Sequence, residues 1–176
     1  MRPRSLRNEQ EARQIGSSGF SLIELLIVVA IILIIVAIAL PNFMRSRMAA
    51  NEAAAVQSLR TITTAATVYS TTYGNGYPPD LATLGGPATP TCDKASLIDG
   101  VLAAGQKSGY TFTYTLLNAN ANPAAGCSVA GGNSFTATAI PILPGTSGQR
   151  SFFVDPSGVI RQNLTGPASA TDPPIS

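Results

Sequence analysis

Glu24 is the one ionisable side chain in the run FSLIELLIVVAIILIIVAIAL at residues 20–40, where Ser21 is the only other polar member. A carboxylate at a bilayer centre costs about 2.5–3.5 kcal/mol or more, so Glu24 needs a partner. The alternative is a side chain one turn into the helix that snorkels to the headgroups. Other groups capable of chemistry are sparse. The chain has no histidine, no Gly-rich phosphate loop and no nucleophile beside a base. Asp80, Asp93, Asp99 and Asp155 stand singly in turns or loops, where solvation and turn chemistry account for them. The sequence therefore predicts no enzyme, no cofactor and no metal.

Cys92 and Cys127 are the only cysteines, and without histidine partners two thiols make a poor zinc site. An even pair in a chain with an export-type N-terminus reads as one disulfide, the alternative being two buried free thiols. The bond would close a loop of about 36 residues, stabilising by roughly 3–4 kcal/mol on the chain-entropy account.

Charge is scarce, at 11% of residues, and the net +2 is localised. Residues 1–19 carry Arg2, Arg4, Arg7 and Arg13 against Glu9 and Glu11, and the rest of the chain is neutral. Nothing in that balance predicts a specific nucleic-acid partner.

The elements that would position these groups follow from patterning. Residues 1–19 are polar and lack apolar periodicity, as expected of a leader that is removed. Residues 20–40 as helix span roughly 30 Å, a bilayer core, and are apolar on every face. The leader arginines favour a cytoplasmic N-terminus, while Arg45 and Arg47 at the far end pull the other way. Pro41 is either a stop or a kink. The composition of residues 42–73 favours the kink, because Met48, Ala55, Leu59, Ile62, Ala66, Tyr69 and Tyr73 form one helical stripe. That stripe is expected to be plain core packing.

Gly74-Asn75-Gly76-Tyr77-Pro78-Pro79 ends the helix. A short turn is expected near Leu81–Leu84 and a short helix over Ala95–Ala104, ending at Gly105. Residues 110–116 and 134–142 read as strands, and 150–154 with 158–162 as a hairpin about Asp155-Pro156-Ser157-Gly158. Residues 165–176 read as a Pro-rich surface tail. The expected domains are a leader at 1–19, a transmembrane helix at 20–41, a packing helix at 42–73 and a β-rich head at 74–176.

The junction Gly19-Phe20-Ser21-Leu22-Ile23-Glu24, with its basic leader, apolar helix and Pro41, resembles the N-terminal cleavage and methylation motif of type IV pilins and type II secretion pseudopilins. The hairpin SFFVDPSGVIR at 151–161 resembles the C-terminal sheet of the same proteins. The resemblance implies an α+β, type IV pilin-like fold: a long N-terminal helix, kinked at Pro41, packed on an antiparallel sheet of about four strands. It implies cleavage after Gly19 by a prepilin peptidase, methylation of the new Phe20 amine by the same enzyme, and a homo-oligomeric filament. Glu24 would take the Phe20 ammonium of a neighbouring subunit and so set axial register. Before assembly the subunit would sit in the bacterial inner membrane, in contact with lipids and an assembly platform. Afterwards it would form a periplasmic or cell-surface filament. Ala30, Ala37 and Ala39 would allow close helix approach.

Two other readings compete. Ala37-Ile38-Ala39 followed by Leu40 fits a signal-peptidase site releasing a soluble domain. Glu24 at the head of the apolar run and Pro41 past the cut count against it. Within the filament family, a secretion pseudopilin competes with a pilin. The calcium-binding acidic loop of the major pseudopilin has little counterpart, since residues 163–176 hold only Asp172. The pilin arrangement is not matched fully either, because the cysteine loop encloses the first strand rather than the C-terminal region. Asn163-Leu164-Thr165 also matches a glycosylation sequon.

Overall fold

Apolar residues with no interior to enter dominate the N-terminal part of the computed structural model, which describes residues 19–175. The leader expected at 1–19, apart from Gly19, lies outside the described residues. The chain divides between Leu40 and Pro41 into two units. Helix α1 is assigned continuously over Leu22–Tyr73, with Pro41 inside it, so the proline is not a stop. In the first unit every residue from Gly19 to Leu40 is exposed. This helix is long and apolar enough to cross a membrane, and its apolar window is not buried in the protein.

The second unit is built on the remaining helical turns. Ala55, Leu59, Ile62, Ala66 and Tyr69 are buried along one stripe, as the spacing predicts. Met48 and Tyr73, at the ends of that stripe, are half-buried. The stripe packs on an antiparallel sheet of order β1-β2-β3-β4-β5. Its strands are β1 (Gln106–Lys107), β2 (Tyr110–Ala119), β3 (Gly132–Pro141), β4 (Ser151–Val154) and β5 (Arg161–Asn163). The fold is therefore α+β, consistent with the type IV pilin-like expectation. In β3 the alternation is clean: Phe135, Ala137 and Ala139 are buried, while Thr136 and Thr138 are only partly so. Tyr114 stacks on Phe135 at 5.1 Å.

Four details depart from the sequence reading. The sheet has five strands, because Gln106-Lys107 folds back on β2 through Ser108 and Gly109, whose φ values are 50° and 74°. Two consecutive positive φ values make the tight hairpin turn that matches strand twist. Helix α3 covers only Gly100–Ala103, not 95–104. The amides of Ala95 and Leu97 instead donate to the carbonyls of Thr83 and Leu84, around α2 (Leu81–Leu84), at 2.7 Å each. Strand β4 is buried on both faces, because Ser151 Oγ donates to the Asn163 and Gly166 carbonyls and holds the chain beyond β5 over it.

The Pro-rich end lies mostly at the surface, as expected, but it is tied to the sheet rather than a tail. Gln162 N donates to Pro173 O and Ile175 N to Ile160 O, both at 3.0 Å, and Ala168 is buried. Residues 173–175 thus add main-chain partners to the sheet's last edge, which protects it from pairing with other chains.

Candidate processing and assembly site

The Gly19–Phe20 bond lies ahead of α1 in non-helical, fully exposed chain, and Phe20 is 84% exposed. A peptide bond outside regular structure can enter a protease cleft without unfolding anything. Among the described residues, a Cβ built at Gly19 meets nothing within 4 Å. The described residues therefore leave room for a side chain at this position.

Ser21 is the last residue before the helix, and its carbonyl accepts the first turn's bond from Leu25 N at 3.2 Å. Its amide donates to Glu24 Oε2 at 2.9 Å. This is the backward half of a Ser-x-x-Glu capping box, in which the third helical residue satisfies the cap amide. A carboxylate in the first turn also faces the positive end of the helix dipole. Glu24 Oε1 has no donor among the described residues. The first turn thus presents an exposed Gly19–Phe20 bond, a capped helix start and a carboxylate oxygen without a donor among the described residues. The sequence reading missed the capping role, although the Ser-x-x-Glu spacing ahead of an apolar run signals it.

Cys92 and Cys127 form a disulfide, with their Cα atoms 5.1 Å apart. A buried polar network surrounds it. Asn75, 1% exposed, donates to Tyr69 Oη at 3.2 Å and to Val129 O at 3.0 Å, and accepts from Ala124 N at 2.9 Å. Tyr69 in turn donates to Cys92 Sγ at 3.1 Å. Ser128 N and Oγ donate to the two oxygens of Asp93 at 2.8 and 2.6 Å, which holds that carboxyl below its usual range. The loop of residues 120–131 is therefore pinned on both sides of Cys127.

The remaining carboxylates are also engaged locally. Asp80 and Asp99 are the N-caps of α2 and α3, and Asp99 also pairs with Lys107 at 2.8 Å. Asp155 accepts from Ser157 N within its turn at 2.9 Å. Among the described residues no group of three His, Cys, Asp or Glu side chains could hold a metal ion. Asn163 of the sequon donates to Asp172 Oδ1 at 3.1 Å and accepts from Thr165 N at 2.9 Å, so its amide ties down the C-terminal segment.

One charged pair escaped the sequence reading. Glu52, on the helix, meets Arg150, just before β4, at 2.7 Å. It also accepts the main-chain amides of Gln149 and Arg150 at 2.9 and 3.2 Å. Burial opposes its ionisation, but these donors outweigh burial and hold the carboxyl below its ordinary range. A separation of nearly a hundred residues left no local signal.

Residues 16–40 match the family model described as the prokaryotic N-terminal methylation motif, the signature of type IV pilins and pseudopilins. No curated protein and no solved structure matches the chain. The match covers the Gly19–Phe20 bond, Glu24 and the exposed apolar helix up to Leu40. It supports a type IV pilin-like or pseudopilin precursor, a class of structural rather than catalytic proteins.

Proposed function

We propose, from the methylation motif as premise, that this chain is the structural subunit of a type IV pilus-like filament. A prepilin peptidase cuts after Gly19 on the cytoplasmic side and methylates the new amine of Phe20. The observation that carries this reading is the motif at 16–40 together with the exposure of its apolar helical residues through Leu40. Such a surface needs lipid before assembly and other copies of itself afterwards.

Glycine at position 19 suits the peptidase, since the described residues around it leave room for a side chain. Glu24 uses Oε2 for its own helix start, and Oε1 takes the Phe20 ammonium of a neighbour, which fixes axial register. Pro41 lacks an amide hydrogen, which favours local unwinding of the helix within the filament. A secretion pseudopilin remains the second reading, because the methylation motif is common to both.

Microscopy of sheared surface material tests the proposal. Wild-type cells should yield fibres containing this subunit. Glu24→Ala cells should process and insert the protein but yield few fibres. Normal fibres from Glu24→Ala would contradict the register role. Loss of enzyme secretion, rather than of surface fibres, on deleting the gene would favour the pseudopilin.

A further inference from the structure

Most charges of the second unit are satisfied within it, and the exceptions are unevenly placed. Asp93, Asp99 and Asp172 each accept hydrogen bonds at both carboxylate oxygens. Asp80 and Asp155 each use only Oδ1, leaving Oδ2 without a donor among the described residues. Among the cations, Lys107 and Arg150 are in ion pairs, while Lys94 and Arg161 donate to carbonyls. Arg45, Arg47 and Arg60 have no acceptor among the described residues, and all three are exposed on α1.

Two of these arginines line one groove. Arg60 borders a cleft of about 340 Å³ and Arg45 one of about 420 Å³, and the two clefts share Ala49 and Glu52. Glu52, the only side-chain carboxylate among the described residues of either lining, is already held by Arg150. Ala49, Ala53 and Val56 give the groove an apolar wall. It is thus basic and partly apolar, and it suits a small acidic projection with apolar neighbours.

The same unit carries such a projection elsewhere. In the turn Asp155-Pro156-Ser157-Gly158, the residues from Pro156 to Val159 are exposed, Val159 by 40%. Asp155 Oδ1 is tied to Ser157, and Oδ2 is free. The other candidate, Asp80, is followed directly by the buried Leu81. Within one chain Arg60 and Asp155 form no ion pair.

We propose that the helix groove at Arg45 and Arg60 receives the Asp155 turn of a second copy of this chain. The inference rests on the filament reading above and adds a head-to-helix contact to it. A groove and a projection at different places on one subunit make a heterologous contact. Repeated without closure, that contact generates an open helical array. The arginines steer and specify the contact, and the apolar wall against Pro156 and Val159 excludes water.

Charge reversal tests it in fibre-forming cells expressing the full chain. Arg60→Glu places like charges together and should lower fibre yield about tenfold. Asp155→Asn, which keeps the acceptor for Ser157, should lower it less. Arg60→Glu combined with Asp155→Arg should recover most of the yield. A milder cycle of Arg60→Gln and Asp155→Asn guards against loss of the turn, and the double variant should be no worse than the worse single. If both double variants show simple additive loss with the Cys92–Cys127 bond intact, the contact is wrong. Rescue of Arg60→Glu by Asp80→Arg would likewise overturn it. Absence of fibres from wild-type cells would remove the filament reading and this contact together. Wild-type fibres without rescue would remove the contact alone.

Discussion

The amide of Ser21 donates to Glu24 Oε2 at 2.9 Å, one helical turn away. Glu24 is therefore a structural residue of its own helix as well as the candidate partner of a neighbour's amine. The two roles separate by substitution. Glu24→Gln keeps an acceptor for the cap and removes the charge, whereas Glu24→Ala removes both. If charge pairing drives register, both variants should lose fibre growth, and only Glu24→Ala should also fray the helix start. The cap is worth about 1 kcal/mol. Amide exchange at Ser21 in the detergent-solubilised precursor reads the cap, and fibre yield reads the charge.

Glu52 should anchor the helix to the start of β4. Glu52→Ala leaves the Gln149 and Arg150 amides without their acceptor and should cost about 2–3 kcal/mol. Thermal unfolding of the detergent-solubilised full chain measures it. The ion pair itself contributes little of this, because the Arg150 side chain is 40% exposed.

The same residue predicts a pH dependence. Its folded pKa lies below the ordinary value of 4.5, so the folded state binds the proton less readily than the unfolded one. The stabilisation is complete above the unfolded value and is lost as pH falls through the lower folded value. Unfolding temperature should therefore drop below about pH 4.5. Glu52→Gln should flatten part of that drop.

Asn75 should matter more than a loop asparagine usually does. It is 1% exposed, and its side chain makes three hydrogen bonds that join the helix end to residues 124 and 129. Asn75→Ala should destabilise by about 2–3 kcal/mol through unpaired buried groups. Hydrogen exchange should rise first over residues 120–131. The paired Cys92→Ser, Cys127→Ser variant should cost roughly 3–4 kcal/mol on the chain-entropy account. If it costs much less, the polar network alone already holds the loop.

The sequence disclosed features set by local pattern. The helical stripe from Ala55 to Tyr69 is legible because period 3.6 places these apolar residues on one face. The turn at Asp155-Pro156-Ser157-Gly158 is legible because its residues prefer turn geometry. Long-range pairing left no such trace. Glu52 with Arg150, Asn75 with Val129, and Ile160 with Ile175 meet only after the sheet has formed. The helix expected at 95–104 shrank to Gly100–Ala103 because its first amides found partners around α2, a tertiary contact overriding local propensity. Of the candidate site, Gly19, Phe20 and Glu24 were legible as a motif. The cap bond that orients Glu24 was legible in principle from Ser21 but was outweighed by the motif around it.

The most direct test of the central claim is the intact mass of the mature subunit's N-terminal peptide, isolated from membranes. A subunit processed at the methylation motif begins at Phe20 and carries one added methyl group. A mature chain beginning at Leu40, with no methyl, would show instead a signal peptide cut after Ala39 and a released soluble domain, and would contradict the account.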